Sequence, residues 1–227
     1  MDDKIVTQNY GTGAVSSIAH LNNDRELHRD DGPAITYFYD DGVTVEQEVW
    51  YRNGEYHRDG DQPAIIDYSE SGAVIRRQWL VNDNRHRDNG PSEVSYFESG
   101  KVSHEFWYVD DNLHREDGPA EISYAETGEI EYWVYYRHGN RHREDGPASC
   151  HFWHDGTLIQ ELWYINDVES RRDGPANIRN TRDDGRKVCR YSVDGIDVTN
   201  ELKKAMIVDC DGNVIDQAAL ELTLSCM

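Results

Sequence analysis

Positive charge, cysteine and proline are all scarce in this chain. Of its 227 residues only 23 are Lys or Arg, against 44 Asp or Glu, a net charge of −21. So acidic a surface disfavours direct binding to nucleic acid or to anionic membranes, both of which are polyanions. The four cysteines (Cys150, Cys189, Cys210, Cys226) have no metal-ligand spacing. They read as free thiols of a reducing cytoplasm, and no metal or other cofactor is expected. No run approaches the ~20 apolar residues that span a bilayer, and Met1–Lys4 does not open like a signal peptide. The expected compartment is therefore the cytoplasm. Hydrophobic residues make up only 37% of the chain, a composition that can mean disorder. The 14 Tyr and 6 Trp argue otherwise, because aromatics bury much area per residue. A thin repetitive fold reconciles the two facts.

The prolines reveal the repeat. All six, Pro33, Pro63, Pro91, Pro119, Pro147 and Pro175, are separated by 30, 28, 28, 28 and 28 residues. Gly32, Gly90, Gly118, Gly146 and Gly174 directly precede a proline, whereas Gly60 is parted from Pro63 by Asp61 and Gln62. Upstream stand His28, His57, His86, His114 and His142, with Ser170 in the sixth copy. Each is followed by an arginine: Arg29, Arg58, Arg87, Arg115, Arg143 and Arg171. Seven residues before the histidine comes an aromatic, Trp50, Trp79, Trp107, Tyr135 or Trp163. A seventh copy begins at Tyr191 and is abandoned at Val198-Thr199.

Within a copy, Ala120, Ile122 and Tyr124 alternate with Glu121 and Ser123, the period of a half-buried strand. A Ser-Gly, Thr-Gly or Asp-Gly turn follows, then a second run that ends at the aromatic. Asn53-Gly54, Asn82-Asp83, Asp110-Asp111, His138-Gly139 and Asn166-Asp167 mark the next turn. The expected fold is all-β: a tandem array of β-hairpins forming an elongated, curved or twisted sheet. Residues 1–20 form a lead-in or cap strand, 21–195 hold six and a half repeats, and 196–227 form a helical cap. Thr199–Met206 and Asp216–Leu222 are the expected helices, the first with a side-chain N-cap.

Trp50-Tyr51-Arg52-Asn53-Gly54 and the repeated hairpins resemble the MORN-type repeat proteins over about residues 15–195. The likeness is to bacterial and phage variants, including antitoxins, while the His-Arg-x-Asp-Gly-Pro-Ala turn departs from the usual MORN glycine pattern. The resemblance implies a stacked-hairpin sheet that binds protein partners.

Three sets of residues are candidates for function. In the His-Arg ladder each arginine is expected to pair with a turn aspartate (Asp31, Asp88, Asp117, Asp145, Asp173), which makes the ladder structural. Copies stacked ~9.6 Å apart are too distant for one metal ion to join two histidines. The aromatic column is expected to be core. The hairpin tips carry Asp40, Asp41, Glu70, Glu98, Glu126, Asp183 and Asp184, the expected partner-binding residues. Asp209, Asp211 and Asn213 echo a calcium loop, but Leu220 stands where its Glu belongs. A group written six times is not a catalytic constellation, so no catalytic residue is expected. The chain reads as a non-enzymatic scaffold that holds or inhibits a protein, such as a phage counter-defence or antitoxin-like protein. An acidic decoy of a nucleic-acid-binding protein and a nucleotide or small-molecule binder are the alternatives. An edge-to-edge dimer is open to such a sheet.

Overall fold

The computed structural model describes residues 4–182, 185–205, 208 and 214–225. The protein is all-β with two short helices at its C-terminal end, and it divides into two compact units, residues 1–112 and 113–227.

Antiparallel hairpins follow one another in chain order through each unit. In the first, Lys4–Asn9, Val15–Leu21, Ile35–Phe38, Val45–Val49, Ile65–Tyr68, Val74–Gln78, Glu93–Tyr96 and Val102–Phe106 each pair with the next. In the second, the succession is Glu121–Tyr124, Ile130–Val134, Ser149–Phe152, Leu158–Leu162, Asn177–Asn180 and Lys187–Arg190. The lead-in is thus itself a hairpin, paired to the first copy.

The fourth copy shows how a unit is built. Glu121 lies opposite Val134 and Ser123 opposite Tyr132 on one face, while Ile122 meets Trp133 on the other. Gly128, at φ 106, lets its N–H reach the Ala125 carbonyl at 2.9 Å and close the tip. Register then slips by one residue between Ser123 and Tyr124, leaving Glu131 as a β-bulge. The same slip occurs in the hairpins at Gln8/Asn9, Tyr37/Phe38, Asp67/Tyr68, Ser95/Tyr96 and His151/Phe152, and is missing from 177–190.

The expected return loop is a second, smaller hairpin. Tyr136–Arg137 pairs with Asn140–Arg141 across His138-Gly139, whose φ angles of 50° and 83° make a type I′ turn. Equivalent arms are Tyr51–Arg52 with Glu55–Tyr56, and Tyr164–Ile165 with Val168–Glu169. Consecutive arms are stitched together: Gly54 N–H donates to Leu27 O at 2.9 Å, and Asp167 N–H to Arg141 O at 3.0 Å.

The repeats bury mainly small side chains. Ala34, Ala64, Ser92, Ala120, Ala148 and Ala176, each just after a proline, are fully buried. The larger apolar cluster lies at the C-terminal end, where Cys189, Tyr191, Val193, Val198, Leu202, Val208, Leu220 and Leu224 pack together. Helices Thr199–Lys204 and Gln217–Ser225 supply its last part. The expected side-chain N-cap of the first helix is not formed: Val198 holds that position. Thr199 instead turns its hydroxyl to the Tyr191 N–H at 2.9 Å. Met206, Asp209, Asp211 and Asn213, like Cys210 and Cys226, lie outside the described residues. Cys150 is a free, buried thiol and Cys189 is buried too; burial with the Glu161 charge pushes the Cys150 thiol up to about 12. Among the described residues no helix is long and apolar enough to cross a membrane.

Candidate functional site

The arginine of each turn is held from several sides. In the third, fifth and sixth copies the guanidinium lies over the aromatic of its own copy, Arg87 over Trp79 at 4.0 Å, Arg143 over Tyr135 at 4.2 Å and Arg171 over Trp163 at 4.1 Å, whereas Arg29, whose copy has Leu21 there, sets Nη1 3.3 Å from His20 Nε2. One nitrogen donates to the following proline's carbonyl, at 3.3 Å for Arg115 and 3.4 Å for Arg143. Nε donates to the turn aspartate: Asp31 at 2.8 Å, Asp117 at 2.8 Å, Asp145 at 2.8 Å and Asp173 at 2.6 Å. These bonds hold the Asp31, Asp117 and Asp145 carboxyls below the usual range, the hydrogen bond first and the Arg charge second. The glycine closes the outer side. A Cβ on Gly146 would stand 2.9 Å from Arg143 Cζ, so close approach explains this glycine, whose φ is not positive. The aromatic column is therefore a shelf for guanidinium groups. Of its members Trp79 is buried, and the others are half-buried rather than core.

The histidines tie one copy to the next. The backbone N–H opening the following type I′ turn donates to histidine Nδ1: Asn53 to His28 at 3.1 Å, His138 to His114 at 3.2 Å, Asn166 to His142 at 3.3 Å. Ser170 does the same work, its hydroxyl accepting the Asp194 N–H at 3.0 Å. His86 faces two carboxylates, Asp88 at 3.1 Å and Asp110 at 3.2 Å. Asp88 is thus on His86, not on Arg87 as the sequence suggested. Arg87 reaches back to Asp61 of the preceding loop, with Nε and Nη2 at 2.7 and 3.0 Å. Asn89 stands where the other turns have their aspartate, and Asp61 supplies the missing charge.

Arg58 and His57 are the exceptions. Arg58 keeps its shelf, Trp50 at 3.7 Å, and its bond to the Pro63 carbonyl at 3.1 Å. Asp59 is turned to His57 and Arg52, whose bonds, His57's first, hold its carboxyl low. His57 Nδ1 is buried without a hydrogen-bond partner among the described residues.

The acidic tips are partly spent inside the fold. Asp41 accepts the N–H groups of Val43 and Thr44 at 2.9 and 2.8 Å, and the Thr44 hydroxyl at 2.5 Å. Glu98 accepts the hydroxyls of Ser69 and Ser71 at 3.1 and 2.9 Å, linking adjacent tips. Asp40, Glu70 and Glu126 are exposed, while Asp183 and Asp184 lie outside the described residues.

A different surface was not singled out from the sequence. Four residues after each proline stand Tyr37, Asp67, Ser95, Ser123, His151 and Arg179. In the first unit the cross-strand order on this row is Tyr37, Gln47, Asp67, Arg76, Ser95, His104. In the second it is Ser123, Tyr132, His151, Gln160, Arg179. Most are half-buried, Tyr37 and Arg179 are exposed, and Ser123 is buried. Neighbours interact along the row: Asp67 accepts from Gln47 and Arg76, each at 2.6 Å, and the Tyr132 and His151 rings lie 5.5 Å apart. One step away, on the opposite face, the first strand of each copy carries Thr36, Ile66, Val94, Ile122, Cys150 and Ile178, mostly aliphatic, opposite Glu48, Arg77, Glu105, Trp133, Glu161 and Cys189. The signal in the sequence was variation at one fixed repeat position.

No protein-family model matches the chain, and a search of curated proteins finds no relative.

Proposed function

We propose that this chain is a non-enzymatic repeat scaffold that holds or inhibits a protein partner through the row of unlike side chains on its hairpin faces. One observation carries the reading. The turn positions repeat one chemistry, whereas the row from Tyr37 to His104, and that from Tyr132 to Arg179, carries different chemistry in copy after copy. A rigid frame with variable side chains at fixed spacing suits recognition of one specific surface. Tyr and Arg on it are residue types that anchor interfaces. The acidic-decoy reading fits less well, because Asp41 and Glu98 already accept hydrogen bonds within the fold.

Site-specific photo-crosslinking tests the proposal. A photoreactive residue at Gln160, on the row, should trap one protein of defined mass in cells of the native host. The same residue at Glu70, on a tip, should trap it far less. Equal trapping at both positions, or none at Gln160, would sink the proposal.

A further inference from the structure

The second copy's arginine, Arg58, differs from its counterparts in one respect that points to a ligand. Arg29, Arg87, Arg115, Arg143 and Arg171 each hold an aspartate carboxylate 2.6–2.8 Å from Nε. Arg58 has the aromatic shelf and the proline carbonyl that Arg87, Arg143 and Arg171 have, yet no carboxylate lies within 4 Å of it among the described residues. The acids nearby are engaged elsewhere. Asp59 is bound by Arg52 and His57, Asp61 by Arg87, and Glu48 accepts the Tyr68 hydroxyl at 2.7 Å. The covering glycine is also displaced: a Cβ on Gly60 would meet nothing within 4 Å. Burial pulls the Arg58 guanidinium below its usual pKa, against the raising effect of Glu48 and Tyr68. Beside it, His57 Nδ1 is buried and unpartnered. Arg58 lines a groove on each side of its loop, of about 670 Å³ towards Arg29 and about 240 Å³ towards Trp79.

We infer that Arg58 is a carboxylate-binding site, and that its ligand is an acidic side chain presented by a protein partner. The five sister arginines show which group this geometry selects, a carboxylate on Nε, with Nη2 joining in at Arg87. A phosphate dianion is disfavoured, since Asp59, Asp61 and Asp88 line one groove and Asp30, Asp31 and Asp59 the other. Only the source of the carboxylate rests on the protein-binding proposal above. The site itself does not.

The test uses the full chain and two probes, acetate and N-acetyl-aspartate amide. Each is titrated against chloride at constant ionic strength while the arginine Nε–H resonances are followed. One resonance, absent in Arg58→Lys, should move saturably with both probes, and phosphate should move it less. Asp61→Asn gives an independent check: it releases Arg87, so two resonances should respond instead of one. That variant keeps the idea falsifiable even if Arg58→Lys does not fold. If no arginine responds saturably, or all respond alike, the site is refuted. If phosphate outcompetes acetate, the carboxylate assignment is refuted. Photo-crosslinking at Gln160 is a separate readout, so failure here leaves the row untouched, and failure there leaves Arg58 untouched.

Discussion

The C-terminal cap and the repeat turns hold themselves together by different physics. In the cap, Leu202, Leu220 and Leu224 are almost wholly buried among Tyr191, Val193, Val198 and Val208. Burial of aliphatic surface is non-directional, so such a cluster tolerates varied sequence provided volume is kept. In the turns there is little aliphatic surface. An arginine is fixed by a ring, a carbonyl, a carboxylate and a glycine backbone, each with strict geometry. Directional contacts demand particular residues, which explains why the turn is written almost identically six times and the cap is not. A chain with 30% charged and 37% hydrophobic residues can fold because much of its cohesion is of this second kind.

The sharpest way to break the comparison is to damage each region once. Leu202→Ala should cost about 2–5 kcal/mol, the range for truncating a buried leucine. Gly146→Ala should cost less, about 1–3 kcal/mol, by pushing Arg143 off Tyr135 and Asp145. Urea unfolding of the two variants measures both. A Gly146→Ala protein as stable as the parent would show that the guanidinium moves aside freely, and the sandwich would lose its claim to cohesion.

Much of this was legible in the sequence, because the period fixes everything that repeats. The prolines gave the copy length, and Asn-Gly or Asp-Asp pairs marked the type I′ turns that the backbone adopts. The bulge after Ser123 was not legible, since Glu131 looks like any exposed strand residue and only pairing reveals the slip. Nor was the Asp61–Arg87 pair, which joins residues 26 apart in neighbouring copies. The row of unlike side chains escaped for the opposite reason: a search for periodicity attends to what recurs, and these positions do not.

The cross-copy ties offer a finer test. Ser170 is the sole turn residue of its kind that replaces histidine, and Ser170→Ala should leave the Asp194 N–H unpartnered at a cost of about 1 kcal/mol. Ser170→His restores the common residue and should recover the tie if Nδ1 and Oγ are interchangeable acceptors. Were Ser170→His as damaging as Ser170→Ala, the two acceptors would not be equivalent. The histidine copies would then need a separate explanation.

The smallest effect concerns the junction where two histidines meet. His114 and His138 stack with ring centroids 4.5 Å apart, and His138 opens its turn at φ 50. The corresponding positions hold Asn53, Asn82, Asp110, Asn166 and Asp194, residue types that accept this left-handed conformation more readily. Burial first, and then the His138 charge, pulls the His114 pKa below its usual value, with Arg137 adding to the pull and Glu116 opposing it. The folded state therefore binds fewer protons than the unfolded chain. Stability is complete well above the unfolded pKa, ~6.5, and falls as pH drops through it towards the folded value. His138→Asn removes the neighbouring imidazole and relieves the backbone. It should stabilise by less than about 1 kcal/mol at pH 7.5, with the advantage growing as pH falls below ~6.5. His151, whose pKa is also lowered by burial, leaves a residual pH dependence common to both proteins. Unfolding midpoints measured between pH 5.5 and 7.5 decide the matter, since parallel curves would mean that the stacked pair contributes no proton sensitivity of its own.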